Sequence, residues 1–168
     1  PERARAMSPG PRRVLFAIPQ LDRDGPDRVL FELLRALDRG RYTPSLLVSE
    51  PEGHYLRQLP GDVEVHVLGP QRSRRDRYPL VRAARLVRAM RPALVFTTLR
   101  MNLTMGLASV VFPRETRLII RQANDFTADF DALVRQRRVW HRISRRLVIA
   151  SLRRADAIVC QSAAMRDD

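Results

Sequence analysis

Lysine is missing from this chain. All 31 basic residues are arginine, against 18 acidic ones, for a formal charge of +13. So one-sided a choice reflects a bias in arginine usage at ordinary surface positions, so the high charge favours anionic partners only in a general way. Cysteine is nearly absent too: Cys160 stands alone, which excludes an internal disulfide and a cysteine-rich metal site and points to a reducing, cytoplasmic setting. No apolar run approaches the roughly 20 residues of a membrane span, and the Arg/Pro/Ser-rich start lacks the apolar centre of a secretory signal. Nucleotide-binding signatures are lacking as well: there is no G-x-G-x-x-G and no G-x-x-x-x-G-K-[ST], so dinucleotide and P-loop readings lose their main support. A G-x-S-x-G elbow is also missing, which leaves hydrolase chemistry without a nucleophile.

What the sequence does contain is an alternation. Six short apolar runs, at 14–18, 46–48, 63–67, 93–96, 118–120 and 157–160, are separated by amphipathic or helix-like stretches. This is the pattern of βαβ units. Five runs are continuously apolar, as strands covered on both faces are. In the third, Val63, Val65 and Val67 alternate with Glu64 and His66, which predicts an edge strand with one wetter face. A chain of 168 residues with 45% hydrophobic content has enough material for one core. The expected fold is a Rossmann-like, three-layer α/β domain over 13–168, its sheet mostly parallel and ordered 3-2-1-4-5-6, with a disordered tail at 1–12.

Helical periodicity links Leu30, Leu33, Leu34 and Leu37, then Leu80, Ala83, Ala84, Val87 and Met90. The first helix is expected to end near Asp38, Arg39 and Gly40, and the second at Arg91 and Pro92. Segment 101–112 reads as a short buried helix closed by Pro113. The longest candidate covers 129–154, with Leu133, Trp140, Ile143, Leu147 and Ala150 on one stripe and Arg135, Arg138, Arg142, Arg145, Arg146 and Arg153 opposite. Four such arginines against an anionic leaflet, at about 1 kcal/mol each, would supply roughly 4 kcal/mol, enough for weak peripheral association at the inner face of a membrane. A solvated outer face explains the same residues. Nucleic-acid binding is disfavoured because Phe16, Phe31 and Phe96 lie within apolar runs and Trp140 on the apolar stripe, not among the arginines.

At the corner after the first run, Asp24 or Gly25 can cap a helix, Pro26 suits its first turn, and Asp27 complements the positive end of its dipole. The same corner is a potential anion site, although Asp24 and Asp27 would repel a phosphate. Beyond the carboxyl ends of the strands, where such folds bind ligands, Gly25, Arg28, Thr98, Arg100, Asn102, Gln122 and Asn124 can line one cleft. Each also has a plain role: Arg28 as a solvated helix residue, Thr98 and Asn102 as caps, Asn124 in a turn. His54, His66 and His141 have no metal-ligand spacing, and Asp125, Asp129 and Asp131 mark a turn and a helix start, so no metal site is expected.

The strings RVLFAIPQLDRDGPDRVLFELLRALDRGRYTPSLLVSE, RPALVFTTLRMNL, LIIRQANDF and LRRADAIVCQSAAMRDD, in that order, resemble the N-terminal domain of family 4 retaining glycosyltransferases. The resemblance implies one half of a GT-B architecture, in which this domain receives the acceptor and a second Rossmann-like domain, not contained in this chain, holds the nucleotide-sugar. It further implies transfer of sugar to a glycan or lipid-linked acceptor, as in cell-envelope glycan synthesis, with nucleotide-sugar as co-substrate, no other cofactor, and no activity for this half alone. By the same resemblance Asp24 and Gly25 occupy the donor-diphosphate loop, and Arg28, Thr98, Arg100, Asn102, Gln122 and Asn124 face the acceptor. Asp24 stands where the family usually has glycine, Ala123 where it commonly has a histidine facing the reacting sugar, and Ala163 where it has glutamate. No catalytic residue is therefore assigned, and whether the chain is itself an enzyme stays open beside two alternatives: a catalytically silent glycan- or partner-binding domain, and a basic membrane or nucleic-acid adaptor.

Overall fold

A computed structural model describes residues 10–69, 79–122 and 140–163, the side chains of 140–145 excepted. The tail 1–9, Asn124 and the first part of the long helical candidate lie outside the described residues. All six apolar runs are strands: β1 (Arg12–Ile18), β2 (Tyr42–Val48), β3 (Glu64–Val67), β4 (Leu94–Thr98), β5 (Arg117–Gln122) and β6 (Ala157–Cys160). They form one parallel sheet in the order β3-β2-β1-β4-β5-β6. The helices are α1 (Gly25–Ala36), α2 (Leu80–Met90), α3 (Met101–Ala108) and α4 (Trp140–Leu152). This is a Rossmann-like α/β fold. One core joins Leu15, Ala17, Leu47, Val95, Leu118 and Ile120 to α2 and α3 through Ala83, Val87, Met101 and Met105. The other, on the opposite face, joins Val14, Phe16, Ile18, Leu46 and Val48 to Leu30 and Leu34 of α1. Alternate residues of the central strands thus feed different layers, which is why those strands are apolar throughout.

Two strands depart from expectation. β3 does form an edge, but Val65 and Val67 are 39% and 46% exposed, and it is His66 that is half-buried. The valine face here extends past the cover of α1, so only Val63 and Leu68, at the strand's two ends, are buried. β6 is the opposite edge, and Ala157, Ile158 and Val159 are exposed despite their apolar run. An uninterrupted apolar stretch does not guarantee two covered faces.

The helices are bounded by specific contacts. α1 ends earlier than expected, at Ala36, with Leu37 already extended. Arg39 closes it: its Nη1 donates to the carbonyls of Leu34 (2.6 Å) and Leu37 (2.8 Å) while its Nε reaches Asp62 Oδ2 (2.6 Å). The planar guanidinium fork makes these bonds at once, which an ammonium cannot do with the same geometry. Leu33 lies outside the buried stripe, 41% exposed. α2 ends with Arg91 in the left-handed region (φ 48°), its N–H bonded to Val87 O at 2.8 Å, immediately before Pro92.

The apolar stripe anticipated on α4 is rotated. Leu147 and Ala150 are exposed, whereas Ser151 is 1% exposed and Leu152 packs against the α2/α3 core. The cause is a close crossing of α3 and α4: a Cβ on Gly106 would lie 2.5 Å from Ser151 Cβ and 2.9 Å from its Cα and carbonyl oxygen. Only a small residue fits on each side, and the Ser151 hydroxyl is absorbed by Val148 O at 2.7 Å. Asp156, just before β6, forms a second clamp. Its Oδ2 accepts the Leu118 N–H (2.8 Å), its Oδ1 meets Arg117 Nη1 (2.7 Å), and its own N–H donates to Leu118 O (2.8 Å). Asp156 therefore fixes the register of β6 on β5.

Gly106→Ala is expected to lower stability by about 1–3 kcal/mol, the helix propensity of alanine being outweighed by overpacking against α4. A denaturant midpoint equal to or above that of the parent would count against this crossing. The Leu118 N–H, followed by the Arg117 guanidinium, holds the Asp156 carboxyl below its ordinary value of 3.8. The unfolded chain thus takes up this proton first as acid is added, so the clamp stabilises above pH 3.8 and is lost as pH falls through the folded-state value. Asp156→Asn should reduce stability at pH 7 by about 1 kcal/mol and weaken the acid-side decline, which a set of urea melts from pH 7 to pH 3 would measure.

Candidate functional site

In a parallel sheet every strand ends at the same edge, so the ends of β1, β2, β4 and β5, with the described loops after the first three, form one rim. The strand order reverses between β1 and β4, which are neighbours through Phe16 and Phe96. At such a switch point the two following loops diverge to opposite faces and leave a crevice.

On the β1 side, Asp24 is the N-cap of α1 but its side chain makes no capping hydrogen bond. The buried acid is Asp27, 1% exposed, whose Oδ2 accepts the Asp22 N–H at 2.6 Å. Burial, supported by the nearby Asp24 and Asp22 carboxylates, pushes the Asp27 carboxyl up against the opposing pull of that N–H. It shapes the loop from within. Asp24, Gly25 and Arg28 are exposed, and a Cβ on Gly25 would meet nothing within 4 Å, so open space faces this corner.

The corner is braced from β2. His54 N–H donates to Asp22 Oδ1 (2.9 Å), and the His54 ring lies between Arg23 (Nη2 to Nδ1, 3.3 Å) and the Gln58 amide (2.9 Å from Nε2). Gly53 makes this possible, since a Cβ there would come within 2.3 Å of the Leu21 carbonyl oxygen. His54 is thus a structural brace, and His66 sits apart on β3, 3.5 Å from Glu64.

On the β4 side the chain turns sharply. Leu99 has φ 56°, a left-handed conformation that a bulky side chain rarely adopts, and its carbonyl accepts the Asn102 N–H at 3.0 Å. Strain of this kind concentrates where surrounding structure holds a turn for function. Asn102, in the first turn of α3, donates through Nδ2 to the Arg121 carbonyl at 3.0 Å and so ties α3 to the end of β5. Its Oδ1 is buried without a partner, and so are the hydroxyls of Thr97 and Thr98, both residues being fully buried. Buried polar atoms are nearly always bonded, so this concentration at one strand end is unusual. Ser49, following β2, reaches Met101 Sδ at 3.6 Å and links a third loop to the same rim.

The residues singled out from sequence divide accordingly. Thr98, Asn102 and Gln122 come together at the ends of β4 and β5, with Arg100 exposed at the start of α3. Asp24, Gly25 and Arg28 occupy the corner after β1, on the other side of the switch point. Sequence reasoning missed Arg121. It is 6% exposed within β5, paired in register with Thr98, and burial lowers the pKa of its guanidinium. A signal was present: a full charge directly following the apolar run of residues 118–120, close enough to share its strand.

No helix among the described residues is long and apolar enough to cross a membrane. None of the curated proteins matches the chain at a significant level. The model of one protein family, described as Glycosyltransferase Family 4, matches residues 23–168, which takes in every strand after β1 and the whole β4–β5 rim. The parallel order, the divided rim and this match agree, and the chain belongs to glycosyltransferase family 4.

Proposed function

We propose that this chain is the acceptor-side domain of a retaining glycosyltransferase. It would position a hydroxyl of a glycan or lipid-linked acceptor against a nucleotide-sugar held by a second Rossmann-like domain, in the same polypeptide or in another, and would be inactive without that domain. The observation that supports this most is the set of unpartnered buried polar atoms on Thr98 and Asn102, beside the switch point of a family 4 fold. Hydroxyl-rich ligands satisfy such atoms, and each one left unbonded costs the unliganded fold about 1–3 kcal/mol, which a bound ligand would recover.

Roles follow from position. Open space before Gly25 admits the donor diphosphate, with Asp24 at its margin. Arg28 and Arg100, both exposed on the rim, together with Asn102 and Gln122, hold the acceptor; Asn124, outside the described residues, joins them on the resemblance alone. The domain contributes orientation and the shaping of charge, not a catalytic base. Exposed Arg146 and Leu147 on α4, with Arg153 just after its end, favour the lipid-linked class of acceptors at an anionic membrane surface.

With a donor domain supplied and a nucleotide-sugar as substrate, NMR of the product should show sugar transferred with its anomeric configuration retained. Asn102→Ala should reduce kcat/KM by about tenfold or more, since it removes both the tie to β5 and a group facing the substrate. Glycan binding with no transfer from any nucleotide-sugar would instead identify a silent binding domain.

A further inference from the structure

Arg121 is a buried positive charge. The side chain is 6% exposed, and none of the ion pairs among the described residues involves it. The one other buried charged side chain among the described residues, Asp27, takes the Asp22 N–H. Arginine does not shed its proton to relieve the cost of burial, so the burden stays with the folded protein until a counter-charge arrives.

The surroundings indicate what would relieve it. Thr98 and Arg121 are register partners on adjacent parallel strands, so their side chains leave the same face of the sheet about 5 Å apart. The Thr98 hydroxyl is fully buried and bonded to nothing. The next position in that row is Val159 of β6, which offers no charge. Arg121 is the last residue but one of its strand, at the end where Asn102 holds its carbonyl and keeps an unpartnered Oδ1. A fork of N–H donors, a hydroxyl and a waiting carbonyl acceptor match a ligand that brings an anionic group together with a hydroxyl.

On the reading of the rim as an acceptor site, we infer that Arg121 and Thr98 form a subsite for a negatively charged group of the acceptor. The acceptor class is then a phosphorylated or carboxylated sugar or polyol, not a neutral glycan. Arg121 grips the anion, Thr98 donates to it, and a neighbouring acceptor hydroxyl donates to Asn102 Oδ1.

Isothermal titration of the chain at fixed ionic strength tests this with four probes: glucose 1-phosphate, glucuronate, glucose and UDP. One or both charged sugars should saturate the parent protein while glucose does not, and the two charged probes separate a phosphate from a carboxylate. Arg121→Gln should weaken that binding by about tenfold or more, as expected for a lost hydrogen bond to a charged group. Thr98→Val, which fills the same volume, should weaken it by a smaller factor, and both variants should melt at or above the parent temperature because each removes an uncompensated buried group. Thr98→Val also keeps the test decisive if Arg121→Gln does not fold. Arg88→Gln, on the exposed side of α2, should bind as the parent does.

The inference is overturned if no charged sugar binds, if glucose binds equally well, or if Arg121→Gln and Thr98→Val leave binding unchanged, in which case the attraction is only that of a strongly basic chain. It is overturned as well if UDP alone responds to Arg121, since the anion would then belong to the donor. Sugar transfer to a neutral acceptor that Arg121→Gln leaves intact would remove this subsite and keep the transferase reading. Charged-sugar binding dependent on Arg121 without transfer by the completed enzyme would do the reverse.

Discussion

A parallel sheet has a direction, and that constraint organises this molecule. Neighbouring strands running the same way cannot be joined by tight hairpins, so each connection must climb over a face and return to the opposite edge. β1 lies inside the sheet, and the chain first builds outward to β3, then crosses back to lay β4 on the other side of β1. The loops after β1 and β4 are thereby sent to different faces, and a crevice opens between them without any residue being chosen to make it. What the side chains add is chemistry at a place the topology has already prepared.

That division explains what could be read in advance. The strands were legible because a strand buried on both faces must be apolar along its length, and the order is the one expected of a Rossmann-like fold. What lay on each face was not legible. Val65 and Val67 alternate with polar neighbours as if they were core, yet α1 does not extend over them. Residues 157–159 look as buried as β1 does, yet they form an exposed edge. Composition reports what a strand could cover; only the neighbouring layer decides what it does cover.

Where the candidate site residues lie in the fold was legible in outline for the same reason. Thr98, Asn102 and Gln122 could be placed because they end or follow strands, and the ends of parallel strands share an edge. Their partners could not, since the Asn102 bond to Arg121 joins positions 19 apart through a turn held by Leu99 at positive φ. Arg121 was not legible, because only its position inside β5, in register with Thr98, gives it meaning. Asp156, in contrast, belongs to a family-like Arg-Ala-Asp string and proves to be a clamp between strands. A motif can persist in a sequence for the sake of register as readily as for chemistry.

α3 is only eight residues long, yet it is fastened twice. Asn102 moors its first turn to the end of β5, and Gly106, one turn later, rests against the backbone of α4 at Ser151. A rod held at bow and waist cannot pivot at one without being felt at the other. Docking on the outer flank of α4 would therefore have a short, stiff route to the candidate crevice, and a ligand arriving in that crevice would be felt along the same beam.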